Sequence, residues 1–337
     1  MKDILKRIPL KMKFLFVFIL GVILSGIGTY AAVTIASSSV SYDNSSSGAT
    51  ATDVKGAIDE LYEKANNMWC KKDWTKVEES STSYKCLNIP EAVSLSTDSW
   101  DTIIANVQAG NTSAYTVGST KTVDMGTFGT HTLRVANNST PSECSTAGFS
   151  QTACGFVLEF ADIITTHRMN PYDSSKCSTT NGYCSKGGWE YSEMRTYVNT
   201  DIYNALPTSL KNAIINTTVV SGYGSNDTTN FTTVDKLYLL STHEVWEDDD
   251  GNTSSGIDYY DTAYNNTRQL DYYKNNNVTT SSYSGAIKQN NGSNSYWWLR
   301  SASSTYGYYF LRVNSGGGWS GYDSYGAYGV APAFRIA

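Results

Sequence analysis

The chain has 337 residues, 40% of them hydrophobic and 13% aromatic, with a formal net charge of −6 at pH 7. That hydrophobic share excludes a generally disordered chain, and the acidic balance argues against nucleic acid or an anionic lipid surface as the main partner. Tyrosine is as frequent as lysine and arginine together, 25 of each, so the placement of tyrosine is the first question the sequence poses.

Lys2, Lys6, Arg7, Lys11 and Lys13 form a basic tip over 1–13, ahead of an uncharged apolar run over 14–36. The run is long enough to span a bilayer. Basic residues on one side only predict a single-pass cell-membrane protein, N-terminus cytoplasmic and bulk extracellular, with the membrane held through this anchor. The competing reading is a signal peptide cleaved near Thr29-Tyr30-Ala31. Residues 37–52 read as a flexible Ser-rich linker. Thr50-Ala51-Thr52-Asp53 has capping-box form, and Val54, Ala57, Ile58, Leu61, Tyr62 and Ala65 give one apolar stripe, so 53–67 is predicted to be an amphipathic helix. So short a helix needs a surface to pack on. That surface is either the downstream domain or further copies of the helix in a homo-oligomer.

A disulfide-stapled connector is expected over 68–95. Cys70, Cys86, Cys144, Cys154, Cys177 and Cys184 are even in number and fall as three near neighbours, so pairing 70–86, 144–154 and 177–184 is the simplest connectivity. No two have the short spacing of a zinc site, and no metal is expected.

The main globular domain is predicted over 96–337. Trp100, Ile103, Ile104 and Val107 mark a helix closed by Gly110. Thr120–Met125 and Thr130–Val135 alternate around a glycine turn as a hairpin, and Phe156–Phe160 is a compact strand. Helices are expected around Glu190–Asn199 and from Pro207 to Asn216, with Leu210, Ala213 and Ile214 inward. Lys236–Ser241, Tyr296–Ser301, Tyr308–Val313 and Ala333–Ile336 read as strands. Two or three helices among short strands imply an α+β fold.

Between Ser301 and Ala331, 19 of 31 residues are serine, glycine or tyrosine, too many tyrosines in a loop-rich stretch for all to be core. Tyrosine gives large amphipathic contact area at low entropic cost, with serine and glycine adapting around it. Tyr306, Tyr308, Tyr309, Trp319, Tyr322, Asp323, Tyr325 and Tyr328 are therefore the candidate ligand-binding residues, while Trp297 and Trp298 are expected to be buried.

Several ordered motifs carry a resemblance. They are Gly187-Gly188-Trp189 with Ser192, Met194-Arg195 and Asn199; Tyr203 with Leu206-Pro207 and Leu210-Lys211; Asp235-Lys236-Leu237 with Leu239-Leu240-Ser241 and Glu244-Val245; and the ending from Trp297-Trp298-Leu299-Arg300-Ser301 to Pro332-Ala333-Phe334-Arg335-Ile336. Over about Ser96–Ala337 the chain resembles a bacterial domain of unknown function, seen in exported and phage-encoded proteins of Gram-positive gut bacteria. The ending is also similar to C-type-lectin-like folds, including ligand-binding domains diversified by retroelements. What the resemblance implies is a C-type-lectin-like fold and no known reaction. Ala331 stands where many such relatives carry arginine before the proline, so a binding role for that arginine does not transfer.

No catalytic residues are assigned. His131, His167 and His243 are far apart in sequence, and no G-x-S-x-G nucleophile elbow occurs. The acidic run Glu244–Asp250 misses the EF-hand register, and Gly316-Gly317-Gly318 lacks the lysine and helix of a phosphate loop. No cofactor follows. The leading reading is a membrane-anchored extracellular receptor or adhesin for a protein or glycan. The alternatives are a structural cell-envelope or phage-tail-like component assembling through the 53–67 helix, and a cell-wall-modifying enzyme using acids such as Glu190 and Glu193.

Overall fold

The computed structural model describes residues 41, 52–58, 74–76, 84–86, 89–172, 184–225, 227–249 and 256–337. The chain divides into two compact units, Met1–Cys86 and Leu87–Ala337. In the first, residues 54–58 are helical and Asp53 Oδ1 accepts from the Gly56 N–H at 2.7 Å. The cap thus falls on Asp53, whose short carboxylate satisfies a free donor of the first turn. The rest of the expected helix, 59–67, lies outside the described residues. Strands β1 (Trp74–Lys76) and β2 (Tyr84–Cys86) pair antiparallel, Trp74 opposite Cys86.

The single-pass membrane placement is corrected by the structure. No helix among the described residues is long and apolar enough to cross a membrane. The apolar run 14–36 that prompted the expectation lies outside the described residues.

In the second unit, α1 (Trp100–Gln108) begins where Ser99 Oγ accepts from the Thr102 N–H at 3.1 Å. Strands β3 (Thr120–Asp124), β4 (Thr130–Ser139) and β5 (Gly155–Phe160) follow as an antiparallel meander, and β6 (Thr165–His167) leaves for another sheet. Helix α2 (Glu193–Tyr197) passes through a π-helical stretch, Val198–Ile202, into α3 (Tyr203–Ala205). Helix α4 (Thr208–Ala213) starts after Pro207, whose extended ψ of 144° places it before the first turn and not within it. Strands β7 (Thr217–Gly222) and β8 (Asn230–Asp235) form a separate ribbon. Short helices α5 (Thr242–Val245), α6 (Ile257–Tyr260) and α7 (Asp271–Asn275) precede the hairpin of β9 (Lys288–Asn290) and β10 (Ser293–Ser295). The chain closes with β11 (Trp297–Ala302), β12 (Tyr309–Val313), β13 (Trp319–Asp323), β14 (Tyr328–Val330) and β15 (Ala333–Arg335).

Two larger sheets result, in the orders β13-β12-β11-β14-β6 and β15-β5-β4-β3. The end of the chain serves both: β14 pairs with β6, and β15 with β5. The fold is α+β, mostly strands, and its helices are shorter and more numerous than the two or three expected. Lys236–Ser241 departs from expectation. Leu237, Tyr238, Leu239 and Leu240 are fully buried, yet the segment makes only one isolated bridge, Tyr238 to Ala333. Side chains replace the missing ladder. Asn199 Oδ1 accepts from the N–H groups of Lys236 and Leu237, and its Nδ2 donates to the Leu237 carbonyl. Trp297 and Trp298 are fully buried, as expected. Cys144 and Cys154 form a disulfide, and Cys184 is also disulfide-bonded; Cys70 and Cys177 lie outside the described residues.

Two buried ionic networks tie the elements together. Arg300, on β11, grips Glu244 of α5 with two guanidinium bonds of 2.5 Å each, and both side chains are fully buried. Its Nε donates to Ser221 Oγ and its Nη1 also to the Leu239 carbonyl. Glu244 further accepts from Thr152, from Thr267 Oγ1 at 3.0 Å and from the Ser241 N–H at 2.9 Å. Burial works to raise the Glu244 carboxyl, but the Arg300 charge and these bonds hold it below the ordinary carboxylate range. In the second network, Glu159 of β5 accepts from Arg134 at 2.7 Å, Lys288 at 2.8 Å and the Tyr273 hydroxyl at 2.9 Å. Against the opposing pull of burial, the Arg134 and Lys288 charges bring the Glu159 carboxyl down to about 2.

Removing one partner of a fully buried pair leaves an uncompensated charge, at a cost of about 3–5 kcal/mol. Arg300→Met is therefore expected to lose about that much in urea unfolding, and Arg300→Met with Glu244→Gln to recover much of it. A single-variant loss below about 1 kcal/mol contradicts this account. Both carboxyls sit below their unfolded value of 4.5, so their stabilisation is present above that pH and is lost as pH falls through the folded values. Unfolding free energy measured from pH 6 to pH 2 is expected to drop steeply below about 4.5, and Glu159→Gln to flatten that slope.

Candidate ligand-binding surface

The tyrosine-rich hairpin is built by register. Across β12 and β13, Tyr309 lies opposite Asp323, Phe310 opposite Tyr322, Arg312 opposite Ser320 and Val313 opposite Trp319. Facing residues share one side of a sheet and successive residues alternate, so the candidates divide between two faces. Tyr309, Trp319 and Asp323 point one way; Arg312 and Tyr322 point the other, with Tyr328 joining them from β14. Gly321 permits the crossing of one ring, since a Cβ there would stand 2.8 Å from the Tyr309 ring.

The first face carries a ladder of rings. Tyr308 meets Tyr309 edge-on at 4.7 Å, Tyr309 meets Tyr306 at 5.2 Å, and Tyr306 stacks parallel to Tyr260 at 6.4 Å. Tyr260 also contacts Trp319 at 5.2 Å and Tyr259 at 5.4 Å. Tyr259 and Tyr306 are each 47% exposed, so the ladder ends in solvent at two rings. Burial raises the Tyr309 phenol. Helix α6 supplies Tyr259 and Tyr260, which sequence reasoning missed because they lie far from the serine–glycine–tyrosine stretch.

On the second face Tyr328 meets Tyr322 and Trp298 edge-on, both at 5.2 Å, and Tyr296 at 5.8 Å, around the Arg312 guanidinium. A hydroxyl bond with Tyr328 raises the Tyr322 phenol. Tyr325 stands apart, edge-on to Tyr172 at 5.1 Å, its hydroxyl donating to Asp323 Oδ2 at 3.1 Å, which raises that phenol. The only signal for Arg312 in the sequence was that it and Asp323 are the sole charges in the stretch.

The glycine run closes the β12–β13 turn. Asn314 Oδ1 accepts from the Gly316 N–H at 2.8 Å, and Trp246 Nε1 donates to the Gly317 carbonyl at 3.1 Å. Gly317 has φ +95°, and a Cβ there would stand 2.1 Å from the Tyr283 carbonyl oxygen.

The histidines and acids are occupied by local partners. His131 contacts Asp162 and the Phe128 carbonyl, His167 stacks on Tyr197, and His243 stacks on Tyr264 and bonds its carbonyl. Glu190 accepts from Tyr223, and Glu193 faces Arg168 and His167. Asp249 accepts from Thr280 and Ser281, which lowers its carboxyl. Among the described residues no cluster of three metal-ligating side chains exists.

The motifs behind the resemblance are mostly framework. Trp189 is fully buried, and its Nε1 donates to Asp235 Oδ2 at 3.0 Å, beside the Arg195 bond to Oδ1 at 2.7 Å. Ser192 caps α2 through the Arg195 N–H. Gly188, at φ +57°, lies so close to β7 that a Cβ would meet the Gly222 carbonyl oxygen at 2.3 Å.

Fold and hairpin together define an α+β domain with a tyrosine-faced C-terminal sheet. Residues 163–337 match the family described as Domain of unknown function (DUF6273), and the chain belongs to that family. No curated protein and no solved structure gives a match.

The Gly188 geometry generates a test. Gly188→Ala combines a strained φ with a backbone clash and is expected to cost more than about 2 kcal/mol in urea unfolding. Gly292→Ala, at φ +80° in open space, shares the strain but not the clash and is expected to cost less. Equal losses would contradict the close-approach argument.

Proposed function

We propose that this domain is a non-catalytic binding module, capturing a protein or a glycan on the tyrosine ladder of its C-terminal sheet. The observation that carries the reading is the ladder ending in two half-exposed rings, Tyr259 and Tyr306, from separate elements. Rings already braced by neighbours lose little entropy on binding, and tyrosine supplies both an apolar face and a hydroxyl. Tyr308, Tyr309 and Trp319 back these rings, while Tyr322, Tyr325, Tyr328 and Asp323 belong to neighbouring patches of the same C-terminal segment. A C-type-lectin-like architecture is part of the proposal, supported by the return of the chain end into the sheet that holds β5.

The test is capture on arrays of glycans and proteins. Tyr259→Ser with Tyr306→Ser is expected to weaken capture by about tenfold or more, as loss of hot-spot rings does. Both side chains are half in solvent, so the melting temperature is expected to hold within about 2 °C. Unchanged capture by the double variant would remove the ladder as the binding surface.

A further inference from the structure

The second face of the hairpin holds a charge that no carboxylate among the described residues neutralises. Arg312 is 7% exposed, and its guanidinium carbon lies 4.2 Å from the Tyr296 ring centre, 4.2 Å from that of Tyr322 and 4.1 Å from that of Tyr328. Its Nε donates to Ser320 Oγ at 3.2 Å, and Nη1 is buried without any hydrogen-bond partner. Arg134, Arg195, Arg268 and Arg300 each reach a carboxylate; Arg312 enters no ion pair among the described residues. Asp323, the acid next to it in the hairpin, pairs across from Tyr309 and so points to the opposite face, where Tyr325 bonds it.

A cation this buried is costly without an anion and full hydrogen bonding. Ring faces offset part of that cost. They leave the outer N–H groups unanswered, and a guanidinium fork is shaped for a carboxylate. The cage is also close to solvent: Tyr296 is 37% and Tyr322 39% exposed, the latter on the edge strand β13.

We propose that Arg312 and its tyrosine rim form a subsite for a carboxylate-bearing sugar of the uronic acid type. The carboxylate takes the guanidinium N–H groups that the protein leaves free. The apolar face of the pyranose ring stacks on the rim, with Tyr322 turning aside on its edge strand to admit it. This rests on the binding reading above and narrows its ligand to acidic glycans.

Isothermal titration of the full chain with methyl β-glucuronide and methyl β-glucoside tests it, because the two differ chiefly by the carboxylate. The expected result is tighter binding of the glucuronide by about tenfold or more, and loss of that preference in Arg312→Met. If Arg312→Met does not fold, Arg312→Lys decides instead: it keeps the charge, loses the fork, and is expected to show a reduced preference. Wild-type protein that binds both sugars equally overturns this subsite while leaving the tyrosine ladder as a binding surface. Wild-type protein that binds neither sugar also overturns it, and the array experiment with the ladder variant then judges the broader reading on its own.

Discussion

Arg300 reaches from the middle strand of the five-stranded sheet into the interior, where Glu244 meets it with both carboxylate oxygens. Because neither group touches water, every remaining donor and acceptor must find a protein partner, and the list of partners is in effect a map of the fold. Ser221 brings in the β7–β8 ribbon, the Leu239 carbonyl the buried leucine segment, and Thr152 and Thr267 two connecting loops. The Ser241 N–H, bound to the same carboxylate, sets the start of α5. Glu159 does the equivalent for the four-stranded sheet, drawing β4, α7 and β9 together through Arg134, Tyr273 and Lys288. Apolar replacement of a buried pair is often neutral or stabilising, whereas removing one partner is costly, so each network ties its elements to one another's presence.

These networks also explain where the family motifs lie. Glycine at 188, the indole of Trp189, Asp235 and Asn199 hold a turn, a helix and a strandless buried segment in register. The matched span, 163–337, begins after β5, yet β15 at its end pairs with β5, and Lys288 within it bonds Glu159 outside it. The matched residues therefore complete their sheet and their charge balance only with the strands that precede them. The rings of the β12–β13 hairpin lie outside these motifs.

In the β12–β13 hairpin, alternation along two paired strands sorts one tyrosine-rich stretch into two surfaces of different character. One is a ladder of neutral rings that gathers Tyr259 and Tyr260 from a remote helix. The other encloses a guanidinium in tyrosine. The glycines between them serve geometry: Gly321 lets the Tyr309 ring cross, and Gly317 lets the turn close on Tyr283.

Local physics was readable from the residues alone. Amphipathic spacing placed the helix at Trp100–Gln108, alternation placed the hairpin of β3 and β4, and the apolar run at Tyr308–Val313 placed β12. The near spacing of Cys144 and Cys154 was enough for their bridge. Pattern misled at Lys236–Ser241, because a run of buried apolar residues looks the same whether strands or side chains satisfy its backbone; here Asn199 and Arg300 do. The pairing of β15 with β5, the carboxylate that answers Arg300 and the absence of one beside Arg312 among the described residues were decided only in three dimensions. Each depends on which distant segment fills the space opposite, and sequence separation carries no record of that.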